Sequence, residues 1–123
     1  MKITDLLKKQ SICLDGKADS KEQVIREMVD LMAEGGNIND IDTYREIVFK
    51  REEEGTTGIG EGIAIPHGKT EAVSAPGLAA MVLPEGVDYD SLDGEPVYLI
   101  FLIAAPNTED NVHLEVLSRL SML

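Results

Sequence analysis

Two histidines are the residues with the most reactive potential in this sequence, and the first stands in Pro66-His67-Gly68 at the end of a glycine-punctuated stretch, GTTGIGEGIAIPHG. A neutral imidazole nitrogen accepts a phosphoryl group near neutral pH, because one nitrogen keeps its proton while the other offers a lone pair. Pro66 restricts the backbone ahead of the ring, and Gly68 is read as the point where the chain turns sharply and brings its amides close to an anion. The second histidine, His113, falls in the first turn of a helix expected after a long apolar strand. In open α/β sheets, strand ends and helix N-termini of this kind collect anionic ligands. If the two strand ends are adjacent, His113 fixes the tautomer of His67 or donates to the phosphate oxygens.

Charge must come from elsewhere, because acidic residues outnumber basic ones 23 to 11 and the formal charge is -12. Such a field repels nucleic-acid backbones, anionic membranes and free phosphate alike, so nucleic acid is excluded as a partner and a phosphoryl donor has to dock specifically. Arg51, at the C-terminal end of an expected helix, is positioned to offer a bidentate cation. Its alternative reading is a stem that packs while the head reaches water. Thr56, Thr57 and Lys69 are lesser candidates, each also readable as a solvated loop residue.

No spaced third ligand accompanies the histidines, and the single cysteine, Cys13, is read as a packing residue, so neither a metal nor a disulfide is expected. P-loop, dinucleotide-fingerprint and serine-elbow motifs are absent. No cofactor is therefore expected, and the phosphate is expected to arrive from another protein.

The elements that hold these residues are legible from periodicity and punctuation. Ser20 and Gln23 form a capping-box pattern ahead of Val24, Ile25, Met28, Leu31 and Met32, and Gly35 and Gly36 stop that helix. A second helix is expected from Asp40 or Asp42 to the 52–54 acidic run, with Gly55 as its stop and Tyr44, Ile47 and Val48, extended by Arg51, as its inner face. Ile63 to Ile65 reads as a short strand ending at Pro66. Leu78 to Leu83 reads as a strand ending before Pro84, and Glu85 to Pro96 as turns. Val97 to Ala105 is an unbroken apolar run, the mark of a central strand covered on both faces. His113, Val116, Leu117 and Leu120 then share one face of a third helix. Further short strands near Cys13 or Tyr89 are allowed for.

The alternation of strands and helices predicts a single α/β domain over 1–123, with a mixed sheet flanked by helices on both sides. The N-terminus has no signal-peptide core and the longest apolar run is too short to span a bilayer, so a cytoplasmic protein without membrane insertion is expected.

The stretch from Glu52 to Gly68 closely resembles the active-site signature of the enzyme IIA proteins of the fructose and mannitol class in the bacterial sugar phosphotransferase system. The matching features are an acidic residue, Glu52, seven positions before Ile59, then Ile59-Gly60, Ile63-Ala64-Ile65 and Pro66-His67-Gly68. The likeness extends over Asp93 to Leu120, where DGEPVYLIFLIAAP and HLEVLSRL resemble the family's second histidine region. The resemblance implies a relay: a histidine phosphocarrier protein phosphorylates His67, and His67 passes the group to a cysteine of an enzyme IIB domain for uptake and phosphorylation of fructose or a related sugar. It makes His113 the neighbour of His67, and Arg51 and Thr57 the polar residues beside the phosphoryl group. The nitrogen-related regulatory branch shares the signature and is the alternative. Family members run about twenty-five residues further through another helix, so a C-terminal truncation, with a homodimer as one way to cover the exposed surface, is also an expectation.

Overall fold

The computed structural model describes residues 3–108 and 112–120, without the side chains of Val112 and His113. In chain order its elements are α1 (Ile3–Leu6), β1 (Leu7–Cys13), α2 (Lys21–Ala33), α3 (Ile41–Glu54), β2 (Gly58–Gly60), β3 (Ile63–Ala64), β4 (His67–Thr70), β5 (Gly77–Val87), β6 (Val97–Pro106) and α4 (Val112–Leu120).

Both long helices begin where their caps dictate. The Ser20 hydroxyl accepts the Gln23 amide at 3.2 Å, and the Gln23 side chain reaches back to the Asp19 amide at 3.3 Å. Asp40 accepts the Thr43 amide at 3.2 Å to start α3, and Gly55 ends it. Caps of this kind stabilise a helix by about 1 kcal/mol each.

The strands form one six-stranded mixed sheet in the order β1-β5-β6-β3-β2, with β4 also paired to β6. Strand β6 is central: antiparallel to β5 on one side, parallel to β3 and β4 on the other. Its uninterrupted apolar sequence follows from that place, since successive side chains enter opposite layers. Ile100, Leu102 and Ala104 join the larger core beneath α2 and α3, which also holds Val24, Met28, Met32, Tyr44 and Val48. Phe101 and Ile103 join a smaller core on the other face, closed by Val116 and Leu120 of α4 and by Ile3 and Leu6 of α1. Helices thus cover both faces of the sheet, as the sequence pattern predicts.

Three local expectations are corrected. Strand β5 does not stop before Pro84 but runs through it to Val87. Pairing with β1 reaches only Met81, and the ladder to β6 shifts between Val82 and Val87, so the missing proline N–H falls where no regular rung needs it. Residues 67–70 form strand β4 instead of a turn, and Gly68 lies within it. A Cβ at Gly68 would stand 3.0 Å from both Tyr44 Cε1 and Val48 Cγ2, so glycine serves here to bring α3 against the strand. Finally, the inner row of α3 is Tyr44, Val48 and Glu52, while Ile47 and Arg51 are half-buried. Of the two further strand regions allowed for, the one at Cys13 is realised as β1; Tyr89 lies just beyond β5 with its side chain fully buried.

Candidate functional site

The strand carrying His67 is broken at Ile65-Pro66. β3 and β4 both run parallel to β6, and across the gap the Pro66 carbonyl keeps the ladder connected by accepting the Ile103 amide at 3.1 Å. His67 opens β4 opposite Ile103, half-buried. Helix α3 is pinned over this rung twice: by its contact with Gly68, and by the buried Tyr44 hydroxyl, which donates to the Ile103 carbonyl at 2.8 Å.

The imidazole Nδ1 lies 3.1 Å from the Ile65 carbonyl oxygen. A carbonyl oxygen only accepts, so Nδ1 carries the proton and the lone pair resides on Nε2. Burial holds the ring's pKa below the ordinary histidine value; the Ile65 hydrogen bond acts the other way, the Arg51 charge lowers it further, and Glu52 and Glu54 raise it. The balance leaves the ring neutral at neutral pH, with Nε2 as its nucleophilic atom.

Arg51 follows Val48 by one helical step at the end of α3, close enough for its charge to act on His67. Its Nη1 donates to the Gly55 carbonyl at 3.0 Å, which folds the guanidinium over the helix C-terminus, where a cation is favoured. The backbone of His113 is in the first turn of α4, a helix that packs on β6 and β4, so the strand opened by His67 lies under the helix bearing the second histidine. The His113 side chain lies outside the described residues. Among the described residues, the Ile65 carbonyl is the group placed to fix the tautomer of His67.

Thr57 is 5 % exposed and is linked to the imidazole through Ile65, whose amide donates to the Thr57 carbonyl at 3.0 Å. Its hydroxyl donates to Glu52 Oε1, with Tyr89 Oη 3.1 Å away, and its amide donates to Glu52 Oε2 at 3.2 Å. Thr56 is likewise engaged, donating to the Tyr89 carbonyl at 3.3 Å and accepting from the Gly58 amide at 3.1 Å. Lys69 lines a separate polar recess with Asp40, Thr43 and Glu71. The structure therefore brings the Arg51 charge to His67, joins Thr57 to it through Ile65, and places Lys69 in a separate recess.

Sequence reasoning assigned no role to Glu52. Its carboxylate accepts from Thr57, from Tyr89 Oη at 3.0 Å and from Lys21 Nζ at 3.0 Å, and the Lys21 ammonium sits 4.7 Å from the Tyr89 ring centroid. Burial pushes the Tyr89 phenol well above its ordinary pKa, so it remains a neutral donor. The signal that would have found Glu52 is its place four residues after Val48 and eight after Tyr44, in the same inward row. No helix among the described residues is long and apolar enough to cross a membrane.

Comparison with known proteins agrees with this architecture. A family model for the phosphoenolpyruvate-dependent sugar phosphotransferase system, EIIA 2, matches residues 5–123. The fructose-specific EIIABC component of Bacillus subtilis (strain 168) is 51% identical over 123 residues, covering 100% of this chain and 19% of that protein, so the chain spans about a fifth of that relative's length. Among solved structures, the nitrogen regulatory protein IIA-Ntr of Neisseria meningitidis superposes with a TM-score of 0.87 at 37% identity, covering 95% of this chain and 80% of that one. The mannitol enzyme IIA in its complex with phosphorylated enzyme IIB from Escherichia coli gives a TM-score of 0.79 at 32% identity, covering 94% and 81%. A match that takes in the broken His67 strand, α3 with Arg51 and the helix of His113 leaves one conclusion about kinship: the chain belongs to the EIIA 2 family of the phosphoenolpyruvate-dependent sugar phosphotransferase system.

Proposed function

We propose that the chain is a phosphoryl carrier in which Nε2 of His67 takes phosphate from the histidine phosphocarrier protein and yields it to a cysteine of enzyme IIB. Family membership makes it a phosphotransferase component working through a phosphohistidine. The observation that carries the assignment of the residue is the bond from Nδ1–H to the Ile65 carbonyl, which reserves Nε2 for attack in a ring kept neutral by burial.

In the first transfer the Nε2 lone pair forms a P–N bond as the donor's P–N bond breaks, and the donor imidazole recovers its electron pair. In the second, a thiolate of enzyme IIB forms a P–S bond and Nε2 regains its lone pair. Little covalent chemistry is asked of the rest of the protein. Its work is to place charge and donors around the moving group. Arg51 supplies the positive charge, the first turn of α4 with His113 supplies amide and imidazole donors, and Thr57 supports the site through Ile65. The fructose-specific relative supports fructose or a related sugar as the eventual cargo.

A regulatory role, in which the phosphorylation state of His67 governs binding to partner proteins, is the second reading; the likeness to the Neisseria nitrogen regulatory protein favours it. One experiment separates the two. The protein is mixed with phosphorylated phosphocarrier, the modified residue is mapped, and candidate enzyme IIB domains are offered. His67→Ala is expected to abolish labelling, and His113→Ala to accept phosphate but pass it on slowly. Labelling that persists in His67→Ala overturns the carrier assignment, and a phosphoprotein that no IIB domain discharges favours regulation.

A further inference from the structure

Residues 51 and 52 are neighbours on α3, yet only the first faces the chemistry. Glu52 is 8 % exposed and holds donors from three separate segments: Lys21 at the start of α2, Thr57 in the loop after α3, and Tyr89 beyond β5. A buried carboxylate with a cationic partner seldom stabilises a fold more than well-packed apolar side chains would. Its presence therefore calls for a use beyond stability, and the hydrogen bonds leading away from it supply one.

The Thr57 amide donates to Glu52 Oε2 at 3.2 Å; the Thr57 carbonyl accepts the Ile65 amide at 3.0 Å; the Ile65 carbonyl accepts Nδ1–H of His67 at 3.1 Å. The carboxylate grips the amide side of Thr57, Thr57 grips Ile65, and Ile65 sets the tautomer and plane of the reacting ring. β3 is only two residues long, and between Ala64 and His67 the ladder to β6 is carried by the Pro66 carbonyl, so the Ile65 amide is held by the Thr57 carbonyl and not by β6.

We propose that Glu52 is a positioning residue for phosphoryl transfer, fixing the Nδ1–H tautomer of His67 through Thr57 and the Ile65 peptide without touching the imidazole. The inference rests on His67 being the acceptor. It gives Thr57 a role in holding the loop, with its hydroxyl donated to the Glu52 carboxylate. It also accounts for an acidic residue seven positions ahead of Ile59: that spacing takes the chain from the last inward position of α3, around Gly55, to the loop that must be gripped.

The test uses the full chain with nitrogen-15 histidine. Long-range proton–nitrogen correlations of His67, recorded without any donor protein, report the tautomer directly. The wild type is expected to show the Nδ1–H form. Glu52→Met fills the space but grips nothing, and is expected to mix the two tautomers and slow labelling by phosphorylated phosphocarrier about tenfold, the worth of one hydrogen bond to a charged group. Glu52→Gln is expected to rescue both readouts to within about threefold, because its amide oxygen still accepts the Thr57 N–H while the Thr57 and Tyr89 hydroxyls rotate to accept from its NH2. Thr57→Val, which keeps the amide and loses only the hydroxyl, gives a milder version of the same shift and serves if Glu52→Met does not fold.

An unchanged tautomer in folded Glu52→Met or in Thr57→Val overturns the proposal, as does a wild-type labelling rate beside a mixed tautomer. The tautomer readout needs no phosphate. A failure of the acceptor assignment, seen as labelling of His67→Ala, is therefore distinguishable from a failure of the positioning role.

Discussion

Two polar clusters meet at the end of α3, and they are built on opposite rules. Around Glu52 the groups are buried and mutually satisfied: the carboxylate, the Thr57 amide and hydroxyl, the Tyr89 phenol and the Lys21 ammonium. Around His67 the ring is half-buried, and Arg51, whose charge acts on it, donates to the Gly55 carbonyl. A saturated cluster resists change because any lost partner leaves a desolvated group behind. A charged group that comes and goes would need donors not saturated in this way. The two clusters share α3, through Glu52 and Arg51, and are joined by the Thr57–Ile65–His67 hydrogen bonds.

The contrast breaks most visibly at Glu52. Glu52→Ala removes the acceptor from under Lys21, Thr57 and Tyr89, and is expected to cost about 3 kcal/mol in chemical denaturation. Arg51→Ala, one residue away, is expected to stay within about 0.5 kcal/mol of the wild type. Equal losses at the two positions would erase the distinction between them. Next in size is Gly68→Ala, whose Cβ would press on Tyr44 and Val48 at 3.0 Å. About 2 kcal/mol of destabilisation is expected from such overpacking, together with slower labelling as α3 moves off β4. Full stability and rate would mean that the close approach of the helix does not matter.

A smaller effect is expected on the phosphorylated form. Arg51→Ala should shorten the phosphohistidine lifetime about tenfold, the worth of one hydrogen bond to a charged group. Equal lifetimes would take Arg51 out of the site. The smallest effect concerns pH. Folding lowers the proton affinity of His67, so the stability associated with the neutral ring is complete above about pH 6.5 and is lost as pH falls through the lower folded-state value. His67→Gln has no ring to charge, so the melting temperature of the wild type should fall further than that of the variant between about pH 7.5 and 5. Parallel curves would contradict the burial assigned to the ring.

Much of the frame was legible because local chemistry decides it. Ser20, Asp40 and Gly55 punctuate α2 and α3 through their own backbone bonds, and β6 announces itself by being apolar on both faces. His67 was legible from its proline and glycine neighbours and from the signature it closes. What escaped was whatever tertiary contact decides. Pro84 reads as a stop until one sees that β1 has already ended beside Met81. Gly68 reads as a turn until α3 is laid against it. Arg51 and Glu52 both fit the inward row by spacing, three and four residues after Val48; the carboxylate takes it because partners from positions 21, 57 and 89 converge there, which spacing alone does not reveal. Thr57 was expected beside the phosphoryl group on the strength of the resemblance, and its hydroxyl points to the carboxylate because that cluster assembles only in the folded chain.

The most direct test is to phosphorylate nitrogen-15-labelled protein with the phosphorylated phosphocarrier and ask which nitrogen couples to phosphorus. The account predicts a coupling to Nε2 of His67, with the proton still on Nδ1. Phosphorus on Nδ1, or on any residue other than His67, would contradict it.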